Sequence, residues 1–217
     1  ITITVNDALS SISYSPSSFF LTKDSVMSPT ATPTTSGGTI LSWSISPPLP
    51  NGLVIDSSTG EISGTPSIIS GFTVYTVSAT NSGGFDSATV NITVNDISPT
   101  VSYSPSSFIL TQDIAMSPSA TPTSSGGDVI SWSISPTLPN GLTIVTSTGE
   151  ILGTPTVISS LTSYTVTATN SGGSDSTVIT ITVNDALSSI SYSPSSFFLT
   201  KDSVMSPTAT PTTSGGT

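Results

Sequence analysis

The chain has 217 residues, a net charge of −10 and no Cys or His, and its two basic residues are Lys23 and Lys201. Those absences exclude disulfide staples, the usual zinc sites, thiol nucleophiles and imidazole bases. An acidic chain without Arg is a poor match for a phosphate backbone, so no nucleic-acid partner is expected.

Only 6% of residues are charged, against roughly a quarter in ordinary globular chains. Ser and Thr fill the gap, making up more than a third of residues 8–96. Such a composition suggests disorder at first sight, but 34% of residues are hydrophobic and they recur with period two, the mark of half-buried strands. A neutral hydroxyl surface suits an extracellular or cell-surface setting. No stretch reaches 18 consecutive apolar residues, so no membrane span is expected in this segment.

In chain order, residues 1–7 alternate Ile and Val with Thr and read as a strand. Ile12 and Tyr14 alternate with Ser until Pro16 breaks the run, and Phe19 to Thr22 form the next strand. Met27 to Thr35 contains Pro29 and Pro33 and reads as irregular or as an edge. After a Ser36-Gly37-Gly38 turn, Leu41, Trp43 and Ile45 alternate with Ser42 and Ser44, predicting a half-buried strand with a core Trp. Pro47 to Gly52 is a turn, and Leu53 and Ile55 lead into a second turn at Ser58-Thr59-Gly60. Ile62 stops at Gly64-Thr65-Pro66. Tyr75, Val77 and Ala79 form one long strand and Val90, Ile92 and Val94 another, with a hairpin signal at Asn81-Ser-Gly-Gly84 between them. About seven strands and no helix result.

The predicted inward set is Tyr14, Phe19, Leu21, Leu41, Trp43, Ile45, Leu53, Ile55, Ile62, Tyr75, Val77, Ala79, Val90, Ile92 and Val94. At about 1.5–3 kcal/mol for each large apolar side chain buried, such a set supports one small sandwich that folds on its own.

The whole pattern then repeats at an offset of 89 residues without insertion or deletion, and roughly two-thirds of the aligned positions are identical. Residues 179–217 are identical to residues 1–39, so the larger unit is a pair of copies, 178 residues long. The expected organisation is the last strand of a preceding repeat at 1–7, full repeats at 8–96 and 97–185, and the first strands of a following repeat at 186–217. On this reading the natural protein extends in both directions. Asp96 leads within a few residues to the next strand at Val101, so the hinge is short. Each copy is expected to add on the order of 40 Å to a rod.

Leu49-Pro-Asn-Gly-Leu53, Asp56-Ser-Ser-Thr-Gly60, Ile62-Ser-Gly-Thr-Pro66, Ala79-Thr-Asn-Ser-Gly-Gly84 and the closing Ile92-Thr-Val-Asn-Asp96 resemble the immunoglobulin-like repeat of large bacterial or archaeal surface proteins. That family is related to the dystroglycan-type cadherin-like domain. The resemblance implies an all-β fold of tandem seven-stranded Ig-like or cadherin-like sandwiches. It also implies a stalk, adhesin or spacer role and no catalytic residues.

Calcium is the sharpest alternative, because cadherins hold it between domains. Asp7, Asp96 and Asp185 stand at the junctions and are the candidate ligands, with Asp24, Asp113 and Asp202 recurring elsewhere. However, Gly64-Thr-Pro66 and Gly153-Thr-Pro155 replace the expected Glu motif, Asn81 and Asn170 replace an expected Asp, and Asp56 becomes Val145. Calcium takes 6–8 oxygens, several of them from carboxylates, so no metal or other cofactor is expected, and the bland reading of Asn-Asp is a strand-ending turn. Glu61 and Glu150 recur without a repeated acidic partner, and Lys23 becomes Gln112. Neither a carboxylate pair nor a Ser-Lys pair is therefore common to both copies, no enzyme is expected, and a Lys–Asn cross-link is excluded for the second copy. Trp43 and Trp132 read as core rather than as a sugar platform. Asn91-Ile-Thr93 fits a glycosylation acceptor whose counterparts are Thr2 and Thr180. The expected function is a structural repeat of an extracellular fibre or stalk, its partners other copies of itself along or beside the fibre. An adhesin binding a glycan or protein ligand through loops is the alternative.

Overall fold

A computed structural model describes residues 1, 8–186, 189–193, 195–205, 208 and 210–214. The predicted strand at 1–7 therefore lies almost wholly outside the described residues. Two compact units are present, Ile1–Ser98 with Ser171–Gly173, and Pro99–Asn170 with Ser174–Thr217.

The first full repeat contains eight strands: β1 (Leu9–Tyr14), β2 (Ser18–Thr22), β3 (Pro33–Gly37), β4 (Ser42–Ser46), β5 (Leu53–Ile55), β6 (Ile62–Gly64), β7 (Ser70–Asn81) and β8 (Gly84–Asn95). One layer is a four-stranded sheet in the order β2-β8-β7-β4. Strand β2 runs parallel to β8, and the other pairs are antiparallel. The other layer comprises the pairs β1-β3 and β5-β6, joined by a bridge between Ala31 and Ile62 whose N–H groups each donate to the other's carbonyl at 2.9 Å.

The count exceeds the sequence expectation by β3. Pro33 is tolerated because it opens the strand, where its missing N–H costs no interior ladder bond. The hairpin at Asn81–Gly84 forms as expected, with the Gly83 N–H donating to Asn81 Oδ1 at 2.9 Å.

Strand β7 alternates between the core and the surface, so that Tyr75, Val77 and Ala79 face inward and Thr76, Ser78 and Thr80 outward. Strand β8 places Val90, Ile92 and Val94 beside them, all fully buried. Tyr14, Phe19, Leu21, Trp43, Leu53 and Ile62 complete the predicted core, and Ile12, Met27 and Ala31 join it. Ile45 and Ile55 are half-buried.

Leu41 departs from expectation: it is 69% exposed. Its N–H bonds to the Thr80 carbonyl at 2.8 Å, yet the strand begins only at Ser42. Alternation extrapolated from Trp43 therefore does not govern it. Met27 and Ala31 show no period in the sequence, because Pro29 and Pro33 interrupt the stretch that holds them. Their burial follows from backbone bonds to β6 within the same layer, the Met27 N–H donating to the Gly64 carbonyl and the Ala31 N–H to the Ile62 carbonyl.

The second full repeat has the same eight strands, β9 (Thr100–Tyr103), β10 (Ser107–Thr111), β11 (Pro122–Ser125), β12 (Ser131–Ser135), β13 (Leu142–Ile144), β14 (Ile151–Gly153), β15 (Ser159–Asn170) and β16 (Gly173–Asn184). Its sheet order is β10-β16-β15-β12, with an Ala120–Ile151 bridge in the other layer. Beyond it, β17 (Ser189–Tyr192) pairs with β18 (Pro211–Ser214), the counterpart of β1 with β3.

Candidate functional site

The residues that recur with chemistry attached are mostly engaged in holding each sandwich together. The Tyr14 hydroxyl donates to the Gly60 carbonyl at 2.6 Å inside the core, and Tyr103 donates to the Gly149 carbonyl in the same way. Burial of each ring pushes both phenols up to about 12. Gly60 has φ +76, and a Cβ there would lie 2.5 Å from the Trp43 ring. Trp43 is thus packed under a turn that only glycine fits, and Trp132 sits likewise against Gly149. Both tryptophans are core residues, 6% and 5% exposed, so neither is a sugar platform.

Sequence reasoning missed Asp86 and Asp175. Asp86 Oδ2 accepts the Ile12 N–H at 2.9 Å and Asp175 Oδ2 accepts the Val101 N–H at 2.8 Å. Each carboxylate joins β1 or β9 to the long strand of the other layer. A signal was available: an acid kept at the same offset in an otherwise neutral strand.

The other acids are dispersed. Asp7 lies outside the described residues. Asp96 is buried and its Oδ1 accepts the Ile97 N–H at 2.9 Å, while Asp185 is half-buried. Asp24, Asp113 and Asp202 take left-handed backbone angles, φ +60, +59 and +59, in the turns that follow Thr22, Thr111 and Thr200. Asp56 caps the β5–β6 turn: its Oδ1 accepts the Ser58 hydroxyl at 2.6 Å and the Ser58 and Thr59 N–H groups at 2.7 and 3.0 Å. Those bonds, the Ser58 hydroxyl first, hold its carboxyl below the usual range. In the second repeat Val145 keeps the turn by backbone alone, its carbonyl accepting the Thr148 and Gly149 N–H groups. Glu150 accepts the Ser119 hydroxyl at 2.5 Å. The Asn91 amide donates to the Ser18 hydroxyl at 3.1 Å. No three acidic side chains come together among the described residues.

The outward face of the four-stranded sheet is a regular field of hydroxyls. Cross-strand register aligns Ser44, Ser78 and Ser87 in one row and Ser46, Thr76 and Thr89 in the next. In the second repeat Ser133 lies opposite Thr167, whose hydroxyl meets that of Ser176 at 2.8 Å. Exposed apolar side chains border the field, Phe20 and Phe72 in the first repeat and Ile109 and Leu161 in the second. The second repeat also has a cleft of about 350 Å³ lined by Tyr103, Phe108, Leu110, Met116 and Ala120.

The model of the Putative Ig domain family matches residues 2–95 and again 98–184. The chain belongs to that family. Among curated proteins, the "Serine-rich adhesin for platelets" of Staphylococcus aureus is 34% identical over 184 residues, which are 78% of this chain and 8% of the relative. The chain thus spans a small fraction of that protein. Among solved structures, the N-terminal four Ig domains of Dscam1 isoform 9.44 match with TM-score 0.50 at 13% identity, covering 84% of this chain and 47% of that one. The N-terminal eight Ig domains of Down Syndrome Cell Adhesion Molecule (DSCAM) isoform 1.30.30 match with TM-score 0.50 at 12% identity, covering 88% and 29%. At such identity these neighbours show the fold, tandem Ig-like β-sandwiches, as the strand order does. Family and relative agree with the tandem Ig-like repeats seen in the strand order. No helix among the described residues is long and apolar enough to cross a membrane.

Proposed function

We propose that this Ig-like chain is a structural repeat of an extracellular fibre or surface stalk, whose work is to supply length and stiffness and not to turn over a substrate. One observation carries the reading. The features that recur between repeats are those that hold a sandwich shut: Tyr14–Gly60 and Tyr103–Gly149, Asp86–Ile12 and Asp175–Val101, and Trp43 and Trp132 beneath their glycines. Two polar groups able to do chemistry change between copies, Asp56 to Val145 and Lys23 to Gln112, and Glu61 and Glu150 recur without a repeated acidic partner. A chain under demand for a ligand site would repeat the site, whereas a chain under demand for reach repeats the scaffold.

Adhesion enters through the staphylococcal relative, named as an adhesin for platelets. A stalk and an adhesin array share this architecture, and they differ in whether the loops bind a ligand. The deciding experiment is electron microscopy of the full chain together with glycan and matrix-protein binding arrays. A rod lengthening by on the order of 40 Å per repeat, with no binding, is the expected result. A compact particle overturns the fibre reading, and saturable binding lost on loop substitution moves the function to the adhesin.

A further inference from the structure

We propose that the outward face of the four-stranded sheet is a self-association surface, on which a second copy of this chain packs with the same face. The inference deepens the fibre reading and rests on it. Charge is the first argument. The chain carries −10, so two copies repel wherever acidic residues meet, yet this face carries none. Asp86 and Asp175, the acids within its strands, turn instead to the backbone of Ile12 and Val101. Ser and Thr occupy the centre of the face, and hydroxyls can re-pair across an interface without desolvating a charge.

The second argument is the apolar border. Phe20 and Phe72 stand 76% and 65% exposed, with Ile109 and Leu161 at 76% and 68% in the second repeat. Phe20 lies beside Thr93 in the register, and Phe72 sits in the irregularity between Ser70 and Thr73 on β7. Both positions change identity between repeats, and both stay large, apolar and uncovered. Packing a second copy over them removes this apolar surface from water.

Area is the third. Strands about 4.8 Å apart with a rise of about 3.3 Å per residue give on the order of 500 Å² of flat face per repeat. A standard interface takes about 800 Å² from each partner, so the face of one repeat supplies much of it. Finally, a face that recurs with every repeat fits a partner whose own face recurs equally, and another copy of the chain has that property.

The test is sedimentation equilibrium of the full chain from about 1 μM to about 1 mM, the range in which weak protein pairs separate. The expected result is a mass rising toward the dimer, with association strengthened by added salt as like-charge repulsion is screened. Phe72→Glu with Leu161→Glu should weaken association at least about tenfold, and so should Ser44→Glu with Ser133→Glu at the centre of the field. Val54→Glu, exposed on the other layer, should leave it unchanged. Thermal melts verify folding, and if the Phe72 variant does not fold the serine pair reads the same face. A monomer throughout, face variants without effect, or a control as damaging as the face variants each overturns the proposal. An elongated monomer would sink this surface and leave the fibre reading standing, whereas a compact particle would sink the fibre reading itself.

Discussion

The Tyr14 hydroxyl donates to the Gly60 carbonyl at 2.6 Å across 46 residues of chain, crossing from the first strand of one layer to the turn that covers Trp43. Tyr103 makes the same bond to Gly149. Tyr14→Phe removes the donor and strands a buried carbonyl, so the first repeat should lose about 1–3 kcal/mol, measured by urea unfolding. The folded phenol is raised to about 12 from an ordinary value of 10. Its contribution is therefore fully present below pH 10 and is lost as pH rises from 10 through 12. The Tyr14→Phe, Tyr103→Phe double variant should flatten that part of the alkaline unfolding curve.

Gly60 tests the turn itself. Gly60→Ala forces a left-handed angle on a residue with a side chain and drives its Cβ into the Trp43 ring. A loss of roughly 2–4 kcal/mol is expected, with a change in Trp fluorescence. Unchanged stability would mean that the turn can move off the ring.

Asp86→Ala should cost about 1–3 kcal/mol by orphaning the Ile12 N–H. Hydrogen exchange reads the effect directly: the Ile12 amide should exchange faster while Val77 and Ile92 amides stay protected. Equal loss everywhere would show global unfolding in place of a loosened β1. Asp175→Ala repeats the test at Val101.

Asp56 is an acid-side probe. Its carboxyl lies below the usual range because it accepts from Ser58 and Thr59. A depressed carboxylate contributes stability above its unfolded value, and that contribution disappears as pH falls through the folded value. Asp56→Val, which copies the second repeat, should lower the melting temperature slightly at neutral pH and not at all once the group is protonated. A penalty equal at both extremes would assign the effect to the side chain's shape.

Adding EDTA should leave the melting temperature of the chain unchanged, because the acids are dispersed and Asp96 is already turned to Ile97. A fall in midpoint that calcium restores would establish the junction aspartates as ligands.

Much of this protein was written in its sequence by itself. Alternation specified β4, β7 and β8, because a period of two puts every second side chain on one face. Gly and Asn marked the turns, and the 89-residue offset exposed the tandem order. What only the tertiary structure decided lies where period and partner part company. Leu41 keeps phase with Trp43 and yet is exposed, since its strand starts one residue later. Met27 and Ala31 have no period and are buried, because backbone bonds to β6, a distant strand of their own layer, hold them there. The roles of Asp86 and Tyr14 depend on partners 74 and 46 residues away. A local pattern specifies which face a side chain takes, but which distant backbone group it meets there is set by how the two layers pack.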